Sequence, residues 1–333
     1  MTSASIGVVP YLPLNDGTKM PAVGMGCWMG EVGGGERVGR MVEKALKLGY
    51  RHIDTAAGYG NEEMVGKAIK ESGIPREQLY ITTKLSNAAH DKVVEGFQAS
   101  LAKLDCGYID MYLMHWPVAI VDGKVLPPTS SPTIIDTWLS MQSLLQTHKS
   151  QLRSIGVSNF SIKTFTQLVA DERVTVIPAT NQVELHPYLP QTALKEYCEQ
   201  KGIILTAYSP LGQPPATAGS SPEAPPLLLG DSIVVSLAEK YGATPAQILL
   251  NWGIQRGTVV IPKSENEGRM KANITIVHLE ESDMAALNAL HDQPGKHRSL
   301  LPYHKKGDNG SGVFGWSYEW LGWEGMGDGG VIG

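Results

Sequence analysis

From residue 21 to residue 264 the chain alternates short apolar runs of β type with stretches whose apolar residues recur at helical spacing. No other feature of the sequence limits the fold as tightly. The runs are PAVGMG (21–26), RHID (51–54), LYITTK (79–84), YIDMYLMH (108–115), LRSIGVSN (152–159), IPATNQV (177–183), GIILTAYS (202–209) and GTVVIPKS (257–264). In the first half their pitch is about 30 residues, room for one strand and the helix that returns beside it. Helices are predicted over about 61–72, over 91–104, where Val93, Val94, Phe97, Leu101 and Leu104 keep helical spacing, and near 134–146. The runs are apolar nearly throughout, as strands buried on both faces are. About eight such units without a break in composition predict a single (β/α)8 TIM barrel over about 21–291. An open, doubly wound sheet is the alternative.

Three segments lie outside the repeat. YLPL, NDG and TKMPAVGMG read as an N-terminal β-hairpin over about 11–20. The stretch 212–230 is rich in Pro, Ala and Ser, which predicts a mobile loop inside the barrel unit. An extended tail, about 292–333, is Gly-rich but carries Trp316, Tyr318, Trp320 and Trp323. Those aromatic side chains predict that part of the tail packs back over the barrel mouth. The whole chain, 1–333, is expected to be one domain.

Composition narrows the function. A chain of 333 residues that is 42% apolar can bury a large core without staples. A net charge of -5 offers no basic patch, which argues against nucleic acid or an anionic membrane as partner. Cys27, Cys106 and Cys198 make an odd set with no CxxC pair, so they read as thiols of a reducing compartment. The first residues lack a charged n-region, and no run approaches the ~20 apolar residues of a membrane span. A soluble, cytoplasmic protein is expected.

Barrels of this kind carry their chemistry at the C-terminal ends of the strands. Those positions hold Asp54, with Tyr59 in the turn beyond it, then Lys84, then His115 followed by Trp116. A tyrosine, with an ordinary pKa of about 10, becomes a useful acid near neutrality only beside a cation that stabilises the phenolate. Lys84 is a candidate for that cation, and Asp54 for the group that keeps it charged and in place. His115 can donate to an oxygen bound beside the Tyr59 hydroxyl. Each residue alone has an ordinary explanation: a helix cap, a solvated charge, a structural imidazole, a packed ring. Four of them at three neighbouring strand ends fit a site that protonates a developing alkoxide.

The motifs HIDTAAGYGNEE, ITTKL, LMHWP, IGVSNF, NQVELHPY, AYSPLG and IPKS with Arg269 occur in order between residues 52 and 269. In these the chain resembles the aldo-keto reductases over about residues 11–292, and in GCW (26–28) it is similar to the fungal-type aldose and aldehyde reductases. The resemblance implies a (β/α)8 barrel that binds a nicotinamide cofactor without a Rossmann domain. It implies Tyr59 as general acid for carbonyl reduction, Lys84 and Asp54 as the groups that lower its pKa, and His115 as the residue that orients the carbonyl. It further implies Ser158, Asn159 and Gln182 on the nicotinamide carboxamide, Tyr208 stacked on the ring, and Ser209 and Leu211 along the pyrophosphate. Lys263, Ser264 and Arg269 would hold the adenosine 2′-phosphate, with Asn273 beside the adenosine. Trp28, Tyr59, His115 and Trp116 would line the pocket of a small carbonyl substrate.

That set points to NADPH, with NADH use possible, because Glu265 follows Ser264 directly and Ala272 stands where relatives often have Glu. The implied activity is NADPH-dependent reduction of aldehydes or ketones, aldoses among them. The alternatives are an NADP+-linked alcohol or polyol dehydrogenase and a non-catalytic, cofactor-sensing or structural member of the fold. No metal is implied, and the common assembly of the family is a monomer or weak dimer. Gly325, Gly327 and Gly330 spell GxGxxG, but no helix can follow them to receive a phosphate. His186, in ELHPY, reads as a structural or cofactor-proximal group.

Overall fold

A computed structural model of the chain describes residues 8–212, 227–302, 304, 306–307, 310–327 and 330–333. It begins with the expected hairpin, β1 (Tyr11–Pro13) against β2 (Lys19–Pro21), in which Tyr11 faces Pro21. The turn closes where the Asp16 carboxylate accepts the Thr18 N–H at 2.9 Å and Gly17 takes a φ of 86°. Leu14 and Met20 of this hairpin are buried with Tyr80, Met111 and Leu113, so the hairpin plugs the N-terminal end of the barrel.

The repeat then runs as read. β3 (Met25–Gly26) leads to α1 (Gly35–Lys47), β4 (His52–Asp54) to α2 (Glu62–Glu71), and β5 (Tyr80–Leu85) to α3 (Val93–Leu104). β6 (Ile109–Met114) is followed by a small hairpin, β7 (Ile120–Val121) with β8 (Lys124–Val125), before α4 (Ile134–Thr147). Next come β9 (Leu152–Ser158), α5 (Ile162–Val169), β10 (Thr180–Glu184), α6 (Thr192–Gln200) and β11 (Ile204–Tyr208). The unit continues through α7 (Ser232–Tyr241), α8 (Pro245–Gln255), β12 (Val259–Val260), α9 (Glu267–Asn273) and α10 (Glu281–Asn288). The mobile loop expected over 212–230 falls largely outside the described residues; its last part, Leu228–Gly230, is one 3-10 turn.

β3, β4, β5, β6, β9, β10, β11 and β12 pair in parallel, in that order. The ends of this sheet meet: Val23 bridges Val260, Gly24 N–H donates to the Val260 carbonyl at 2.9 Å, and Gly26 N–H donates to Pro262 at 3.2 Å. Closure is tight enough that a Cβ on Gly26 would lie 2.7 Å from the Ile261 carbonyl oxygen. The open-sheet alternative is therefore excluded, and the fold is a (β/α)8 barrel. Helix starts are fixed by side chains. Thr133 with Asp136, Ser161 with Thr164, and Thr244 with Gln247 form reciprocal capping pairs, each worth about 1 kcal/mol.

Two stretches hold more structure than their composition suggested. Residues 117–133, between β6 and α4, contain the β7–β8 hairpin, whose Asp122 and Gly123 both take positive φ as a two-residue turn requires. The tail forms β13 (Lys306–Gly307), β14 (Gly310–Val313), β15 (Trp316–Ser317) and α11 (Tyr318–Leu321). It does fold back. Val313, Trp316, Tyr318 and Leu321 share a buried cluster with Trp116 and Val118 from the loop after β6. The Trp316 indole N–H donates to Leu126 O at 2.7 Å, and the Lys163 ammonium to Glu319 O at 2.8 Å. The root of the tail is held by β10: Glu184 accepts from Ser299 Oγ at 2.5 Å, from Leu300 N–H at 2.8 Å, and lies 2.9 Å from His186 Nε2. His186 is thus a structural group, and among the described residues no cluster of His, Cys, Asp and Glu is arranged to hold a metal. No described helix is long and apolar enough to cross a membrane.

His52 and His90 are buried in this scaffold, each against a threonine hydroxyl, Thr82 at 3.0 Å and Thr137 at 3.1 Å. Burial pushes both imidazoles down to about 4. Their folded pKa lies below the unfolded value of about 6.5, so below that pH the unfolded chain takes up protons that the native one refuses. Stability should be level above pH ~6.5 and fall toward pH 4, by up to about 1.4 kcal/mol per pH unit for each histidine. Urea midpoints measured at pH 7.5 and 5.5 should differ accordingly; equal midpoints would mean that both side chains titrate freely in the native state.

Candidate active site

β4 ends on Asp54, and the backbone then makes the 3-10 turn Ala57–Tyr59, stopped by Gly60 at a φ of 66°. This turn lifts the Tyr59 ring over the end of β5, where the side chain of Lys84 lies fully buried. The Lys84 ammonium donates to Asp54 Oδ1 at 2.5 Å, to Thr55 O at 2.8 Å and to the Tyr59 hydroxyl at 3.5 Å. His115 follows β6 directly and meets Tyr59 edge to face, with ring centres 5.6 Å apart. The four residues assembled from strand ends in the sequence are thus one contiguous cluster.

Charge decides how the cluster behaves. Burial alone pushes Lys84 down, but Asp54 and Tyr59 outweigh it and the ammonium sits above its ordinary value. His115 is held well below the ordinary imidazole value by burial and then by Lys84, so it is a neutral hydrogen-bond donor. Tyr59 corrects one expectation. Lys84 pulls its pKa down as anticipated, yet burial is the larger influence, Asp54 also acts upward, and the phenol ends above its usual value. Asp54 therefore serves Tyr59 only indirectly, by keeping Lys84 charged.

The second Asp54 oxygen accepts the Gln182 side-chain N–H at 2.7 Å. This fixes which way that amide points, since a carboxylate can only accept. Gln182 was placed on the cofactor by resemblance; its amide nitrogen is committed to Asp54 instead, which leaves its carbonyl oxygen for a ligand. Ser158 Oγ donates to the Gln182 backbone carbonyl at 2.7 Å. The Asn159 amide donates to Ser158 Oγ at 3.1 Å and to His115 O at 3.0 Å, and the Tyr208 hydroxyl donates to Asn159 Oδ1 at 2.7 Å. One hydrogen-bonded chain so joins Tyr208 on β11 to the Lys84–Asp54 pair.

Asn159 and Ser209 take φ values of 62° and 46°, a left-handed backbone that is costly for a side-chain-bearing residue. Leu211 packs partly on the core. Along the rim after β12, Ser264 is buried and its hydroxyl accepts Asn266 N–H at 3.2 Å, whereas Lys263 and Arg269 are exposed. Asn273, at the end of α9, is buried. Two exposed cations beside a hydroxyl, a half-buried phenol, and amide and hydroxyl groups at the mouth suit a nicotinamide dinucleotide with a 2′-phosphate.

Of the expected substrate residues, Trp28 stands 42% exposed with its ring 5.1 Å from that of Tyr59. Trp116 is buried, packed against Phe314 at 4.9 Å and Trp323 at 6.0 Å. Phe314 was missed in the sequence. It is half-exposed, has a φ of 51°, and forms the tip of the β14–β15 turn. The adjoining Gly315, in VFGW, was the available signal.

A model of the Aldo/keto reductase family matches residues 23–292, and the chain belongs to that family. It is 39% identical over 307 residues to the glycerol 2-dehydrogenase (NADP(+)) of Saccharomyces cerevisiae, covering 87% of this chain and 94% of that protein. It is 42% identical over 303 residues to the aldehyde reductase YPR1 of the same yeast, covering 86% and 92%. The fold superimposes on the crystal structure of a Bombyx mori aldo-keto reductase in complex with NADP with a TM-score of 0.77, at 38% identity over 85% of this chain and 92% of that one.

Breaking a buried ion pair on one side strands the remaining charge, at a cost of about 3–5 kcal/mol. Asp54→Asn should therefore lower the melting temperature sharply. Tyr59→Phe, which removes a hydroxyl that Lys84 can do without, should leave it within a few degrees. Equal melting temperatures for Asp54→Asn and the native protein would show that Lys84 is not charged in its site.

Proposed function

We propose that the protein reduces aldehydes and ketones to alcohols with NADPH, and that Tyr59 is the general acid. The observation that carries this reading is the Tyr59 hydroxyl, 3.5 Å from a fully buried ammonium and beside a neutral His115. NADPH, when bound, would be the source of the hydride for the carbonyl carbon. His115 donates a hydrogen bond to the carbonyl oxygen and orients it, and Tyr59 delivers its proton to the same oxygen as charge develops there. Lys84 stabilises the phenolate left behind, and Asp54 keeps Lys84 protonated. The phenol is protonated at neutral pH, and Lys84 acts against the upward push of burial, which makes that proton easier to give up.

Ser158, Asn159 and the free oxygen of Gln182 would hold the nicotinamide carboxamide, and Tyr208 would present its ring face to the nicotinamide. Ser209 and Leu211 would follow the pyrophosphate, with Lys263, Ser264 and Arg269 on the 2′-phosphate and Asn273 near the adenosine. Trp28, Tyr59, His115 and the edge-to-face Phe314–Trp116 pair would make an aromatic mouth for small apolar or mixed carbonyl compounds. Residues 21–291 with the hairpin and tail would act as one unit, a monomer or weak dimer in the cytosol, in keeping with three buried, unpaired cysteines. The yeast glycerol 2-dehydrogenase supports a second reading, NADP+-linked oxidation of a small alcohol or polyol, which runs the same steps backwards.

The test is NADPH and NADH consumption over a panel of xylose, glyceraldehyde, a benzaldehyde, a short aliphatic aldehyde and an α-keto ester. Many turnovers with NADPH are expected. A stop after one turnover would favour a sensor. Tyr59→Phe should lose a factor of about 100 or more in kcat while still binding NADPH, read as quenching of tryptophan fluorescence. Retained turnover would remove Tyr59 from this role.

A further inference from the structure

Glu265 puts a carboxylate directly after Ser264, in the place where a 2′-phosphate would sit against Lys263 and Arg269. The structure shows what is done with that charge. Arg37, on α1, grips Glu265 with a two-pronged contact, Nη2 to Oε1 at 2.8 Å and Nε to Oε2 at 3.2 Å. The Lys263 ammonium donates to Glu265 Oε1 at 2.7 Å. Arg37 also reaches Glu31, Nη1 to Oε1 at 3.3 Å, in the loop that carries Trp28. The hydrogen bonds from Arg37, and then those from Lys263, hold the Glu265 carboxyl down to about 2. It stays ionised at any pH at which the enzyme would work, so its charge must be neutralised by partners.

The two partners differ in what they leave behind. Arg37 occupies both Glu265 oxygens by itself, in the fork geometry that suits a carboxylate. Lys263 adds a third bond that Glu265 can lose. If Arg37 were absent, Lys263 would be the sole cation on Glu265, and a dianionic phosphate would have to take that cation away and lie against a bare carboxylate.

Resting on the NADPH reading above, we propose that Arg37 is a cofactor-specificity residue. Its guanidinium holds Glu265 on both oxygens, so that Lys263 can leave Glu265 for the 2′-phosphate without baring the carboxylate. NADH has no phosphate at that position and makes no call on Lys263, so it is indifferent to the clamp. The departure at Glu265 is thereby reconciled with NADPH use, by a residue 228 positions away in sequence.

Isothermal titration calorimetry of the whole chain with NADP+ and with NAD+, in the absence of any carbonyl compound, tests this without recourse to activity. Arg37→Met keeps the aliphatic stem and removes the charge, at an exposed position. It should weaken NADP+ binding by about two- to fivefold, the range for a partly exposed charge pair, and leave NAD+ binding unchanged. Arg37→Lys should fall between the two proteins. Adding Glu265→Gln to Arg37→Met should restore NADP+ affinity, since the repelling charge is then gone. A native protein that prefers NADP+ and an Arg37→Met variant that keeps the whole preference would overturn the clamp alone. Equal weakening of both cofactors would also overturn it. A native protein that binds NADP+ and NAD+ equally would overturn the 2′-phosphate site itself, and the clamp with it.

Discussion

The Lys84 ammonium lies where no solvent reaches it, and the arrangement of the barrel mouth follows from the need to keep it charged there. Burial of a lone ammonium favours loss of its proton, and here Asp54 and Tyr59 outweigh that tendency. Asp54 in turn is steadied on its other oxygen by Gln182, which crosses from the far wall of the barrel. A pair of this kind contributes little net stability compared with well-packed apolar side chains. Its return is chemical: a fixed positive charge beside one hydroxyl, with a neutral imidazole on the other side. Burial and the cation pull the phenol in opposite directions, burial prevails, and the result is an acid that keeps its proton until an alkoxide forms next to it.

The same hydrogen-bonded chain ties the proton-transfer groups to the residues proposed to hold the nicotinamide. Tyr208, Asn159, Ser158, Gln182 and Asp54 are linked in series. On the outer side, Trp116 joins His115 to the tail cluster of Val313, Trp316 and Tyr318. The tail is anchored independently at Glu184, on the strand that carries Gln182. Active site and tail therefore meet at this end of the barrel wall, whereas the hairpin packs against the barrel strands at the opposite end.

What could be read from the sequence was whatever repeats or sits at a strand end. The apolar strand runs are visible because they are buried on both faces, and the catalytic candidates because strand ends are fixed once the runs are known. Residues that meet only in three dimensions left no such trace. Gln182 and Asp54 are 128 positions apart, and Glu184 and Ser299 are 115 apart. Glu265 stood out as a misplaced charge, yet nothing local identifies Arg37 as its partner. The tail strands carry too many glycines for alternation to show, so Phe314 could not be assigned to the pocket. The direction of the Tyr59 shift was misjudged for a related reason: spacing shows which charges are near, but not how completely water is excluded.

The charge on Lys84 makes Tyr59 a stronger acid than burial alone would leave it. The most direct measurement is the pH dependence of kcat for carbonyl reduction in the native protein and in Lys84→Met. With Tyr59 as the proposed general acid, activity falls as pH rises through its pKa, and Lys84 acts to lower that pKa. Without the cation, the alkaline fall-off should move to higher pH while the plateau drops, because the phenol has become a weaker acid. A fall-off at the same pH in both proteins would contradict the account.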